Sequence, residues 1–125
     1  MKPRLLLVED DAISRRFLQA TLEALPADVD IAESLASALD IETNHVLWLL
    51  DANLPDGSGI ELLQALRLRS PSVPALAHTA DDSPALHAQL ITAGFAEVLV
   101  KPLGAAQLQD AVRRALGSAT DIRFR

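Results

Sequence analysis

The sequence predicts an α/β fold, with five parallel strands in one doubly wound sheet of order 2-1-3-4-5 and five helices covering its two faces. Three observations predict it. Five short apolar runs recur along the chain. Each run is unbroken rather than alternating, which suits strands covered on both faces. The segments between them have helical periodicity, and parallel strands need such crossovers.

The first run is Leu5-Leu6-Leu7-Val8, and Val29-Asp30-Ile31-Ala32 is a weaker second. Val46-Leu47-Trp48-Leu49-Leu50 is the strongest, and residues 73–78 and Val98-Leu99-Val100 complete the set. A helix over 13–25 is marked by Ile13, Phe17, Leu18, Leu22 and Leu25 on one face. A shorter helix is expected over 34–41. Ser58 followed by Glu61 has the capping-box pattern and opens a helix running to about Arg69. Ser83-Pro84 pairs a capping hydroxyl with proline at the first helical position, starting a helix that ends near Gly94. The last helix is expected over 105–116, stopping at Gly117. One domain over 1–117 follows, with a frayed tail over 118–125.

Bulk properties narrow the function. The 125 residues suit one compact domain, and half are hydrophobic, enough for a sizeable core. Aromatic residues are only 3 %, so that core is aliphatic. A net charge of -6 argues against a nucleic-acid surface, which needs clustered cations. The absence of cysteine excludes disulfides, zinc thiolates and thiol catalysis. With no signal peptide and no membrane-length apolar stretch, a soluble cytoplasmic protein is expected.

Open α/β sheets place ligands outside the carboxyl ends of their strands. The residues after each apolar run therefore matter most: Glu9, Asp10 and Asp11, then Asp51, then His78 and Thr79, then Lys101 and Pro102. Taken singly, each has an ordinary explanation: acids and threonines cap helices, a lone aspartate turns the chain, and a lysine is solvated. Together they gather acids, a hydroxyl and an ammonium on one edge. Carboxylates crowded there repel one another without a cation, and an oxygen-rich donor set favours Mg²⁺.

The pattern Val8-Glu9-Asp10-Asp11, then 50–59 with Leu50-Asp51-Ala52-Asn53-Leu54-Pro55-Asp56-Gly57-Ser58-Gly59, then Thr79-Ala80, Gly94 and Val100-Lys101-Pro102 resembles the receiver domain of two-component response regulators. The resemblance spans residues 4–116 and is chemotaxis-regulator-like. It implies a flavodoxin-like sheet in which Asp51 accepts a phosphoryl group from a histidine kinase or a histidine phosphotransfer protein. It further implies Asp10 and Asp51 as Mg²⁺ ligands, Glu9 acting through a metal-bound water, and the Asn53 backbone carbonyl as a third ligand. By the same resemblance Lys101 pairs with Asp51 and then with the phosphoryl group. Thr79 binds a phosphoryl oxygen, and small Ala80 keeps the pocket open. Asn53 and Asp81 would tune phosphoryl lifetime, and their small polar side chains point to autodephosphorylation within seconds to minutes. A cis Lys101-Pro102 bond is implied, and Asp11 is expected to cap a helix.

The sequence also departs from the family. Val98 stands where an aromatic residue usually sits, three before the lysine, and Phe95 does not take that role. His78 replaces an apolar residue and is expected near the rim. His45 and His87 are expected on the surface, and Trp48 packed on a helix. The protein would thus be a signalling domain rather than an enzyme, catalysing only its own phosphotransfer and autodephosphorylation. Two alternatives stand beside it. A degenerate receiver would act as a docking module independent of phosphorylation. A haloacid-dehalogenase-type hydrolase would need an aspartate where Asn53 stands. The chain is too short for a DNA-binding output domain, so it is either stand-alone or part of a longer regulator or hybrid kinase. A monomer or weak dimer is expected.

Overall fold

The computed structural model describes residues 2–119. In chain order the elements are β1 (Arg4–Val8), α1 (Ala12–Glu23), β2 (Asp28–Ala32), α2 (Leu35–Asp40), β3 (Leu47–Asp51), β4 (Asn53–Leu54), β5 (Gly57–Ser58), α3 (Gly59–Arg69), β6 (Ala75–Thr79), α4 (Pro84–Ala93), β7 (Glu97–Val100) and α5 (Ala105–Ala119). Five parallel strands form one sheet in the order β2-β1-β3-β6-β7. With the two-residue strands β4 and β5 set aside, this is the expected 2-1-3-4-5 order. Those two strands make a small antiparallel hairpin that the periodicity did not suggest.

The unbroken apolar runs are explained by two separate cores. Leu5, Leu7, Leu47, Leu49, Leu76 and Leu99 face one side, where Leu18 and Leu22 of α1 and Leu108, Val112 and Leu116 of α5 cover them. Leu6, Val8, Trp48, Leu50, Ala75 and Ala77 face the other, against Ala38 of α2, Leu62, Leu63 and Leu66 of α3, and Leu90 of α4. Along the central strands β3 and β6 every residue is therefore buried whichever way it points. Trp48 packs as expected, with the Arg67 guanidinium of α3 over its ring, 5.1 Å from the centroid.

Local chemistry sets the helix ends. Asp11, Ser34, Ser58 and Ser83 each accept a backbone N–H from the first turn of α1, α2, α3 and α4 respectively. A reciprocal capping box forms in α2, between Ser34 and Ser37. At α3 the Ser58 half is present, the Glu61 N–H donating to its hydroxyl at 3.1 Å. Gly94 ends α4 with φ 119°, a left-handed conformation that glycine adopts freely.

Three expectations need correction. Gly117 does not stop α5, which runs to Ala119; a Cβ added at Gly117 would meet nothing within 4 Å, so no close approach calls for glycine there. Of the expected tail, residues 120–125 lie outside the described part. His45 is buried rather than superficial, because its Nε2 is held by Asp30 Oδ2 at 2.8 Å. His87 is exposed as expected. His78 is fully buried inside β6, not at the rim.

Candidate phosphoryl-acceptor site

The sheet register builds the site. Asp51 is the last residue of β3 and pairs with His78 of β6, which pairs in turn with Leu99 of β7. Glu9 directly follows β1, and its N–H donates to the Ala32 carbonyl at 3.0 Å. Lys101 directly follows β7, and its N–H donates to the Thr79 carbonyl at 2.8 Å. By strand alternation, Glu9, Asp51, His78 and Lys101 continue the rows that face α1 and α5, whereas Thr79 continues the row facing α3 and α4.

Lys101 is the charge centre. Its Nζ donates to Glu9 Oε1 at 2.5 Å and to Asp51 Oδ2 at 3.0 Å. Burial works against the ammonium, but the hydrogen bonds it donates to Glu9 and Asp51 outweigh it and hold the Lys101 pKa above its ordinary value. The Lys101-Pro102 bond is cis, as expected. Asp51 is buried, and its other oxygen, Oδ1, accepts the Asn53 N–H at 2.9 Å. Glu9 is fully buried, and its Oε2 accepts the Asp11 N–H at 3.1 Å.

The remaining expected residues are divided between the rim and the interior. Asp10 and Asn53 are exposed beside the buried pair. Asp11 caps α1 as expected; the Ser14 N–H it accepts holds its carboxyl below the ordinary range. Thr79 is buried, with its hydroxyl accepting the Asp81 N–H at 3.1 Å. Ala80 and Asp81 are exposed, and Asp81 Oδ1 accepts the Ser83 N–H at 2.8 Å. Val98 is half-buried on the α3/α4 side, and Phe95 is fully packed there.

Four further residues shape this edge. Arg15 donates through Nη1 to the Glu9 and Asp10 carbonyls, both at 3.1 Å, fixing the loop that carries the acids. Its Nη2 reaches Glu33 at 3.0 Å. Asp56 accepts the Leu35 and Ala36 N–H groups at 2.8 and 3.0 Å, tying the loop after Asp51 to the start of α2. Those bonds, Ala36 first, keep its carboxyl below the ordinary range. At Gly59 an added Cβ would lie 2.5 Å from the Asp51 carbonyl oxygen, so only glycine lets α3 begin against the Asp51 backbone.

The fourth is His78. Its imidazole is completely buried, and neither ring nitrogen has a hydrogen-bond partner among the described residues. Burial, with the nearby Lys101 charge, lowers its pKa to about 4, only partly offset by Glu9 and the Val8 carbonyl. Its Nδ1 lies 3.5 Å from Glu9 Oε1. The sequence signal was a polar residue breaking an apolar run two positions before Ala80, and reading it as a strand end concealed it.

Carboxylates and one lysine thus meet at the carboxyl edge of a doubly wound sheet, with the Thr79 hydroxyl at the end of the neighbouring strand. Residues 5–113 match the response regulator receiver domain model, and the chain belongs to that family of two-component receiver domains. It is 38 % identical to the KDP operon transcriptional regulatory protein KdpE of Escherichia coli, over 89 % of this chain and 50 % of that protein. It is 32 % identical to the response regulator protein PilR of Pseudomonas aeruginosa, over 92 % of this chain and 26 % of that one. The chain thus spans from about a quarter to half the length of these relatives. Among solved structures, the CheY-like receiver domain protein of Methanospirillum hungatei superposes with a TM-score of 0.88 at 25 % identity, covering 95 % of this chain and 97 % of that one. The receiver domain of a Luxo repressor protein from Vibrio parahaemolyticus gives 0.87 at 29 %, covering 95 % and 93 %. No described helix is long and apolar enough to cross a membrane.

Proposed function

We propose that Asp51 is the phosphoryl acceptor of this receiver, taking the group from a partner's phosphohistidine and returning it to water. The observation that carries the reading is the Asp51 carboxylate itself, buried and bonded by both the Lys101 ammonium and the Asn53 N–H. An Asp51 oxygen attacks phosphorus, the P–N bond breaks with its electron pair going to the donor imidazole, and an aspartyl phosphate remains. Such transfer depends mainly on positioning and charge neutralisation. Lys101 then moves from carboxylate to phosphoryl oxygen, as a compact ammonium on a flexible stem allows. Thr79 bonds a second phosphoryl oxygen.

Glu9 and Asp51 face one ammonium here, and exposed Asp10 follows Glu9 in the chain, an excess of negative charge that a divalent cation would balance. Asp10, Asp51 and the Asn53 carbonyl would hold Mg²⁺, and Glu9 would act through its water shell. When bound, Mg²⁺ would neutralise charge on the transferring phosphoryl group. Asn53 and Asp81 are exposed and small, leaving water a path to the phosphoryl group and supporting loss within seconds to minutes.

A surface for the donor adjoins the site. Ile13 is 82 % exposed and Phe17 44 %. Both line a cleft of about 620 Å³ that also reaches Ala80, Lys101 and Pro102. We assign it to a helical histidine kinase or phosphotransfer partner. Incubation with acetyl phosphate and Mg²⁺, followed by intact mass, tests the function. One phosphoryl adduct on wild type, absent without Mg²⁺ and absent in Asp51→Asn, is expected. A wild type that never gains an adduct would overturn the reading and leave a docking module. A phosphorylated sample that persists overnight in Mg²⁺ would refute the short lifetime.

A further inference from the structure

Phosphoryl chemistry makes no use of His78, yet its imidazole lies against the reacting carboxylate pair. A buried polar group without a hydrogen bond is costly, and both ring nitrogens of His78 are in that state. One ligand atom from each of Glu9, Asp51 and His78 lies within 4.8 Å of the other two. We propose that Glu9, Asp51 and His78 form a mixed oxygen–nitrogen site for a borderline divalent metal of the Zn²⁺ class, occupied in place of the Lys101 ammonium.

Charge favours the exchange. Two carboxylates and a neutral imidazole carry two negative charges, which Lys101 only half cancels and a divalent ion cancels fully. Geometry permits it. Zinc bonds nitrogen and oxygen at about 2.0–2.2 Å, so ligand atoms in its tetrahedral shell stand about 3.3–3.6 Å apart; His78 Nδ1 and Glu9 Oε1 are already 3.5 Å apart, and the other separations, within 4.8 Å, have at most about 1.5 Å to close. Donor type then selects the metal, since imidazole suits zinc and its neighbours while Mg²⁺ prefers an all-oxygen shell. Access runs through Lys101, whose stem borders the open cleft and can withdraw into it.

Because this site claims Asp51 and displaces Lys101, its occupation would block phosphoryl acceptance. That consequence rests on the phospho-acceptor reading; the metal site does not. Binding is therefore tested without any phosphodonor, by Zn²⁺ calorimetry and by NMR of the ¹⁵N-labelled histidine rings. A 1:1 Zn²⁺ complex is expected, with the His78 ring nitrogens shifting while those of His45 and His87 stay in place. His78→Leu should weaken Zn²⁺ at least about tenfold, a loss of about 1.4 kcal/mol, while Mg²⁺ affinity stays within about twofold. Lys101→Met should tighten Zn²⁺, by removing the competing cation. Unmoved His78 nitrogens in wild type at Zn²⁺ saturation would overturn the proposal, and that readout needs no variant to fold. Equal Zn²⁺ affinity in wild type and His78→Leu would overturn it too.

Discussion

His78 makes the stability of this domain fall with acid in a defined window. The perturbation is pH, with His78→Leu as the control that removes the titrating group at similar volume. In the unfolded chain the imidazole titrates at 6.5, whereas burial lowers the folded value to about 4. Between those values the unfolded state binds a proton that the folded state refuses, so stability rises with pH there. The contribution is fully present above about pH 6.5, drains away as pH falls and is gone below about pH 4. At about 1.4 kcal/mol per pH unit, the gap amounts to roughly 3 kcal/mol. The group is wholly buried, so solvent screening does not reduce it. Urea unfolding of both proteins from pH 7 to pH 4.5 measures the effect. The stability difference, wild type minus variant, should shrink by about 2–3 kcal/mol across that range. Parallel pH profiles for the two proteins would refute the reasoning. They would mean that the buried ring finds a partner or a proton in the fold.

Further outcomes follow from neighbouring residues. Gly59→Ala drives a Cβ into the Asp51 carbonyl oxygen, a backbone atom that cannot rotate away; destabilisation of about 1–3 kcal/mol is expected in urea unfolding, and an unchanged midpoint would contradict the tight approach. Lys101→Met leaves Glu9 and Asp51 facing each other without their cation. Stability at pH 7 should drop by a few kcal/mol, as when one partner of a buried pair is lost, and added Mg²⁺ should restore more of it than it adds to wild type. Asp56→Ala removes the acceptor of two α2 amides, so Leu35 and Ala36 should exchange hydrogen faster while β3 amides do not; unchanged rates at both would show that the contact does not hold the helix end.

Much of this was legible because the signals are redundant. The runs at Leu5-Leu6-Leu7-Val8 and Leu47-Trp48-Leu49-Leu50 had to be covered on both faces, which dictates parallel strands and places Glu9 and Asp51 at one edge. Asp11, Ser58 and Ser83 were recognisable as caps because capping depends on residues three apart. What escaped depends on contacts distant in sequence. His45 is buried only because Asp30 on another strand receives it. His78 resembles a strand end until the register sets it between Asp51 and Leu99. Arg15 and Asp56 act on loop carbonyls and helix amides that no spacing rule reveals. The β4–β5 hairpin is two residues per strand, too short to leave a period. Gly117 failed as a stop signal because glycine permits a left-handed turn without requiring one.

The account centres on one carboxylate, and the location of the phosphoryl group tests it most directly. Protein treated with acetyl phosphate and Mg²⁺ would be reduced with borohydride, which converts an aspartyl phosphate to homoserine, and the modified position read by tandem mass spectrometry. Homoserine at position 51 alone is predicted. Homoserine at position 10 or 56 with Asp51 intact would contradict the assignment and move the acceptor off the end of β3.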